Sequence, residues 1–475
     1  MNKRILSISV LIVFLLAGFI YLNRVFSSSS HYVNTFETFK SLSKKTNIDV
    51  LFFGSSHAYT AYIPLIIDKE SNTVSFNLGS DALRVPFTDL VVEESLENTT
   101  PELIVIEIYP PSIPGPENDV IKGYQLRALD MVSNFSIDKF KKVRSFYSNK
   151  ELVGVYFPLI RNHNKWNEMK YFKLSHEQKF NEKTTFFNKG YIGFNTVIDS
   201  LEGTKFTDFR EIEKYPENNM PLITETGKID IIRLIEVSKS QGSQVLIISS
   251  PDLRAKYNWS KSYLNDLENI CREQGIKFLN LNDYYSKIDL KVSDFKDPSH
   301  LNIEGAEKSS RFLAEYINTN YKLKDRSSDS IWQKNHREFI NFKKAYKSMI
   351  FKKELDVNLI ESVKLKNIEI DNKAQTYSIK LSIDASKKYQ EAFNKFSLSL
   401  NIFPVNENEL SDYSKSKKWK FDKVDLKLKD KDSILTFQLN SKIKEINQIE
   451  IFLFNSEKYK GVIGEKLILK DIQFQ

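Results

Sequence analysis

Five short apolar runs recur through the first two-thirds of the chain: Asp49-Val-Leu-Phe-Phe-Gly54, Val74-Ser-Phe-Asn-Leu-Gly79, Leu103-Ile-Val-Ile-Glu-Ile108, Val245-Leu-Ile-Ile-Ser249 and Ile276-Lys-Phe-Leu-Asn-Leu281. Nearly continuous apolar runs of this length suit strands covered on both faces. Between them, Phe87–Leu96, Ile229–Ser240, Tyr263–Glu273 and Ile303–Ile317 carry the helical period. Strands alternating with helices predict an α/β domain over 31–320 with a doubly wound parallel sheet. Residues 111–226 are far too long for an ordinary connection and read as an insertion. It has helical patterns near Ile137–Tyr147 and Glu168–Phe180, and it is rich in Asn, Lys, Phe and Tyr. It reads as a lid or acceptor-binding element, with most of its aromatics expected to form a small core of its own.

The period changes after residue 320. A polar link and a basic helical segment are predicted over 321–355. From there apolar and polar residues alternate: Tyr377 to Ile383, Phe396 to Ile402, Val424 to Leu428, Leu435 to Leu439, Ile449 to Leu453, and Leu467-Leu469 with Ile472-Phe474. The last run changes phase at Asp471, as a β-bulge would. Six or more half-buried strands over 356–475 predict an all-β sandwich domain.

The first residues follow a third pattern. Lys3 and Arg4 precede an uncharged run from Ile5 to Leu22, about 18 residues or roughly 27 Å of helix, enough to cross a bilayer core. Residues 1–30 are therefore read as an N-terminal membrane anchor. Basic residues on the short side predict an N-inside orientation with the bulk of the chain extracytoplasmic. A cleaved signal peptide is the alternative, although no clear small-residue cleavage site follows the run.

Charge refines this picture only slightly. Of the 69 basic and 61 acidic residues behind the net charge of +8, 31 basic and 22 acidic lie from Tyr321 onward, so the excess belongs to the last third. That suits either an anionic envelope polymer or a lysine-rich solvated surface. The single Cys271 excludes an intrachain disulfide and any CxxC metal site, and a buried thiol is expected. His31, His163, His176 and His336 show no metal-ligand spacing. The sequons at Asn98, Asn134 and Asn258 are expected by chance in so Asn- and Ser-rich a chain. No cofactor is called for.

The candidate chemistry sits at strand ends. In open parallel α/β sheets the site lies at the carboxyl edge. Ser56 follows the first strand, Gly79 ends the second, Tyr109 follows the third, Pro251 the fourth, and Asp297 and His300 come after the fifth. A serine hydroxyl needs a base, which His300 can supply, and a carboxylate three residues earlier, Asp297, can orient the imidazole. The Ser56 and Gly79 N–H groups are the candidate oxyanion donors. His57 either lines the site or packs beside the strand end. The bland alternative is that the serines cap one helix, Asp297 caps another, and His300 is a surface residue.

A strand ending in Gly54-Ser55-Ser56-His57, a second ending in Gly79, and a late Asp297-Pro298-Ser299-His300 before a helix resemble the SGNH/GDSL hydrolase superfamily over roughly residues 45–320. The Gly-Ser-Ser-His form is similar to its membrane-anchored envelope branch, which includes O-acetyltransferases of exopolysaccharides and the protein that helps D-alanylate teichoic acids. The resemblance implies that Ser56 is the nucleophile and that Asp297 and His300 complete the triad. It also implies acyl-ester transfer or hydrolysis on an envelope or secreted glycan, with a membrane acyltransferase as partner. Two features depart from the pattern. Ser55 stands where an aspartate is usual, and Glu107-Ile108-Tyr109-Pro110 replaces the third-block Gly-x-Asn-Asp, removing an expected oxyanion amide. The alternative reading is a catalytically inactive scaffold that binds or assembles glycan. The predicted topology argues against a nucleic-acid role.

Overall fold

The computed structural model describes residues 3–26, 31–113, 119–133, 136–167, 184–194, 196–198, 203–217, 223–345, 349–360, 363–373, 376–385, 396–407, 422–427, 434–439, 446–455 and 462–470, with isolated positions in 410–418 and at 472. The chain divides into two units, Met1–Phe180 with Thr184–Phe339, and Ile340–Gln475 with residues 181–183.

A five-stranded parallel sheet organises the first unit: β1 (Val50–Phe53), β2 (Ser75–Asn77), β3 (Leu103–Glu107), β4 (Gln244–Ser249) and β5 (Lys277–Asn280), in the order β2-β1-β3-β4-β5. All five predicted runs became these strands. β1, β2 and β3 are buried throughout, as strands covered on both faces must be. The pairs Phe52↔Asn77, Phe53↔Ile106, Glu107↔Ile248 and Ser249↔Asn280 align the carboxyl ends, so whatever follows each strand emerges on one rim.

Local sequence accounts for the flanking helices. Lys261–Glu273 starts at Ser260, whose hydroxyl accepts the Tyr263 N–H, and it buries Tyr263, Leu264, Leu267, Ile270 and Cys271 on one stripe. Burial pushes the Cys271 thiol up to about 12, leaving it inert at neutral pH. Ile303–Asn320 is capped by Asn302, whose Oδ1 accepts the Glu304 and Gly305 N–H groups at 3.1 and 3.2 Å. Its Ser310 Oγ accepts the Ile63 N–H at 2.8 Å, tying this helix to the segment after β1.

The insertion differs from expectation. Among the described residues, its helices Asp119–Leu129, Ile137–Phe146, Asn149–Tyr156 and Pro158–Arg161 contribute to the main core and show no separate one. Ala128, Leu129, Val143, Tyr147 and Val155 join the main apolar core, and Phe146 meets Phe87 edge-on at 4.5 Å. The apolar stripe of Val85–Leu96 needed a cover on that side, and the insertion provides it. A hairpin, Thr184–Asn188 with Tyr191–Phe194, closes the edge of β2, where the Lys189 carbonyl accepts the Asn77 N–H at 2.9 Å. The expected helix at Glu168–Phe180 lies outside the described residues.

At the N-terminus a helix, Lys3–Val25, contains an apolar span, Leu6–Asn23, long and apolar enough to cross a membrane.

The second unit holds two four-stranded antiparallel sheets. One runs Met349–Ile360, Val363–Lys373, Thr376–Ala385, Ile434–Leu439, and the other Asp422–Lys427, Phe396–Pro404, Ile446–Asn455, Val462–Lys470. Residues of both, among them Leu365, Ile379 and Leu381 on one and Leu398, Ile451 and Leu469 on the other, form one buried cluster. Two boundaries are corrected. The linker helix, Ser330–Ala345, ends well before 355, and the first strand begins at Met349, paired with Asn372 of the next strand; within it Leu355, Val357 and Leu359 alternate with Glu354, Asp356 and Asn358. Asp471, where a bulge was expected, lies outside the described residues.

Candidate active site

β1 is followed by Gly54, whose backbone adopts φ of +143°, a region L side chains rarely enter. A Cβ there would also lie 2.7 Å from the Cβ of Glu107 on the neighbouring strand. The chain can turn so sharply, so close to β3, only with glycine. The next two serines divide the work. Ser55 is the N-cap of the helix Ser56–Ala61, its Oγ accepting the His57 N–H at 3.2 Å, so the cap expected of one serine leaves the other free.

Ser56 Oγ lies 2.7 Å from His300 Nε2. On its far side, His300 Nδ1 is 2.9 and 3.0 Å from the two oxygens of Asp297. A carboxylate only accepts, so Nδ1 carries the hydrogen and Nε2 is left to accept the serine proton. The Asp-x-x-His spacing has a local cause. Phe295–Asp297 and His300–Leu301 form a two-strand ladder pairing Asp297 with His300 across the Pro298-Ser299 turn. Asp297 Oδ1 also accepts the Ser299 and His300 N–H groups at 2.9 and 3.0 Å, an Asx-type turn that fixes the carboxylate. Burial opposes its charge. The His300 hydrogen bond, the imidazole and Lys296 outweigh that and hold Asp297 well below the usual carboxylate range. Asp297 therefore caps no helix; Asn302 does.

The candidate oxyanion donors fare differently. Ser56 N–H opens a helix, where backbone donors have no intrahelical acceptor. The Gly79 N–H instead donates to Asn77 Oδ1 at 3.1 Å. Gly79 is small because a Cβ would meet the Ser55 carbonyl at 3.0 Å and Ala58 at 3.1 Å: its place is to let the chain after β2 close on the helix Ser56–Ala61.

His57 is buried against the site on both faces. Its ring stacks on His300, centroids 4.8 Å apart, and on Tyr109 at 4.1 Å. His57 thus touches His300 directly, and Tyr109 lies one ring beyond it. Burial pushes His57 down to about 4, so the 3.7 Å approach of its Nε2 to Asp252 is not an ion pair at neutral pH.

Three further residues complete the surroundings. Glu107 Oε2 accepts the Ser55 N–H at 2.9 Å and the Ser55 hydroxyl at 2.8 Å, and that hydroxyl is 3.1 Å from His57 Nδ1. Glu107 Oε1 has no hydrogen-bond partner among the described residues, and burial raises this carboxyl to about 7. Asp252, fully buried, is gripped by Arg254 through contacts of 2.9 and 3.1 Å. Burial opposes its charge, but His57 and Arg254 beside it hold the carboxyl below its ordinary value. Arg254 also donates to the Tyr109 hydroxyl at 2.9 Å and to Ser299 Oγ. A signal for Asp252 and Arg254 existed: a charged pair directly after β4 on the functional rim. Glu107 carried the weaker signal of an acid at the end of a buried strand.

Among the described residues no group of His, Cys, Asp and Glu side chains could hold a metal ion. The arrangement is suited to nucleophilic attack by Ser56 with His300 as base. No protein-family model matches the chain, and no curated protein matches it.

Proposed function

We propose that this chain is a membrane-anchored serine acyl-ester enzyme with an SGNH-like α/β domain and a C-terminal β-sandwich, exposed outside the cytoplasm. One observation carries the reading: Ser56, His300 and Asp297 form a continuous hydrogen-bonded line. In the proposed reaction Ser56 Oγ attacks an ester carbonyl while His300 Nε2 takes its proton. The imidazolium, held by Asp297, then protonates the departing alkoxide, leaving an ester on Ser56. A second hydroxyl, from a sugar or from water, gives its proton to His300 and takes the acyl group, and His300 returns that proton to the departing Ser56 Oγ. The resemblance of the motifs suggests O-acetyl transfer or removal on an envelope or secreted polysaccharide, with a membrane acyltransferase supplying acyl groups. The buried Asp252–Arg254 pair and the Glu107–Ser55 contact would serve as supports that hold His57 and the β1 turn in place.

A second reading is favoured by the engagement of Gly79. With that N–H committed to Asn77, Ser56 N–H is the one remaining member of the candidate oxyanion pair. A scaffold that binds glycan without turning it over would tolerate this. Labelling by a fluorophosphonate serine probe separates the two. The enzyme reading expects labelling of the folded wild type that is lost in Ser56→Ala and His300→Ala, and no labelling of the folded wild type transfers the assignment to the scaffold.

A further inference from the structure

The end of the apolar N-terminal helix is fastened to one side of the insertion. Asn23, the last residue of the span, accepts the Leu159 N–H at 3.1 Å. Just beyond it the Phe26 carbonyl accepts the Asn162 side-chain amide at 2.7 Å. One turn before Asn23, the Phe19 ring packs on Phe157 with centroids 5.5 Å apart. The Trp166 indole N–H, in turn, donates to the Leu159 carbonyl at 2.9 Å. The helices Asn149–Tyr156 and Pro158–Arg161 therefore sit at a fixed level relative to the span.

That level has a consequence if the span crosses a bilayer. Four helical residues rise about 6 Å, so the Phe157 ring lies about that far inward of Asn23. Along the same stretch Val153, Phe157, Ile160 and Trp166 are 48, 38, 43 and 51% exposed. Single exposed apolar side chains are ordinary, but four large ones on one short stretch mark an interaction surface.

We infer that Val153, Phe157, Ile160 and Trp166 are embedded in the headgroup region of the bilayer, beside the point where the N-terminal helix leaves it. This rests on the anchor reading and is independent of the acyl-ester chemistry. Lipid is the occupant because Phe157 packs directly on Phe19 of the span itself, whose window has no buried residue. The depth set by Phe19 and Phe157 matches the roughly 5–10 Å at which interfacial helices insert. A tryptophan with its N–H bonded and its ring exposed is the side chain favoured at that boundary. The contact would hold the α/β unit at a set orientation to the membrane instead of on a free tether.

The test uses the full-length protein in phosphatidylcholine vesicles whose acyl chains are brominated near the headgroup or near the bilayer centre. Subtracting the emission of Trp166→Phe from wild type isolates Trp166 from the other tryptophans. Shallow bromine should quench that component at least about twice as strongly as deep bromine, and aqueous iodide should leave it nearly untouched. Ile160→Trp in the Trp166→Phe background should repeat the pattern. Iodide quenching without bromolipid quenching, in protein that resists alkaline carbonate extraction, overturns the inference and makes the face a site for water or a protein partner. Release by carbonate overturns the anchor reading and the inference with it. Neither result bears on fluorophosphonate labelling, which Trp166→Phe should preserve.

Discussion

His57 and His300 lie face to face, ring centroids 4.8 Å apart, although one follows the first strand of the sheet and the other its last. The proposed mechanism places a positive charge on His300, and a second charged ring at that distance would oppose it. Burial, with the nearby His300 charge also disfavouring protonation, keeps His57 neutral at pH 7. Replacing His57 by Phe should preserve the stack and retain probe labelling within about tenfold. Lysine there should lower labelling by about a hundredfold or more by opposing the imidazolium. Equal labelling rates for the two variants would show that neutrality at this position has no role.

The triad itself predicts an ordered loss. Ser56→Ala should abolish labelling. Asp297→Asn should lower its rate by about a thousandfold or more with little loss of fold, since the amide no longer selects the Nδ1–H tautomer. Stopped-time labelling followed by gel fluorescence measures both, and an Asp297→Asn rate near wild type would exclude a triad.

Gly54 should tolerate no side chain. A Cβ would meet Glu107 at 2.7 Å in a backbone conformation of φ +143°, so Gly54→Ala is expected to cost about 2–4 kcal/mol. Thermal unfolding should fall and labelling should fall with it, because the turn aims Ser56. An unchanged melting temperature would contradict the tight β1–β3 approach.

Glu107 and His57, joined through the Ser55 hydroxyl, shift in opposite senses. Burial raises Glu107 to about 7, so its contribution to stability is full below the ordinary value of 4.5 and is lost as pH rises through 7. Burial lowers His57 to about 4, so its contribution is full above the ordinary 6.5 and is lost as pH falls through 4. Between about 4.5 and 6.5 the two slopes cancel. Glu107→Gln removes one, and the variant should gain on wild type by about 1.4 kcal/mol per pH unit across that window. Denaturation of both proteins from pH 4.5 to 7 measures it; parallel curves would refute the opposed shifts.

Asp252 depends on Arg254 for its charge. Arg254→Gln leaves a fully buried carboxylate without its two guanidinium contacts and should destabilise by about 3 kcal/mol. Adding Asp252→Asn should recover more than half of that loss in thermal unfolding. No recovery would mean that Arg254 acts through Tyr109 and Ser299 instead.

Local order was legible in the chain wherever one residue's neighbours decide its state. The run Val50-Leu-Phe-Phe has no polar face to offer water, so it had to be a strand covered on both sides. Asp297 and His300 are three residues apart across a proline turn, so their contact is a short-range matter. Six of the eight strands in the second unit are legible as runs with a period of two; Met349–Ile360, whose basic residues also suit a helix, and Val363–Lys373 are the two beyond those runs.

What tertiary structure alone decided is which distant groups meet. Strand order put Ser56 against His300, and Glu107 under Ser55, because β1 and β3 are neighbours while separated in sequence. It stacked His57 between His300 and Tyr109, and it drew Ala128, Leu129, Val143, Tyr147 and Val155 of the insertion into the main core. Composition and spacing record what each residue can do; packing and hydrogen-bond competition among residues far apart in the chain determine which of those options is used.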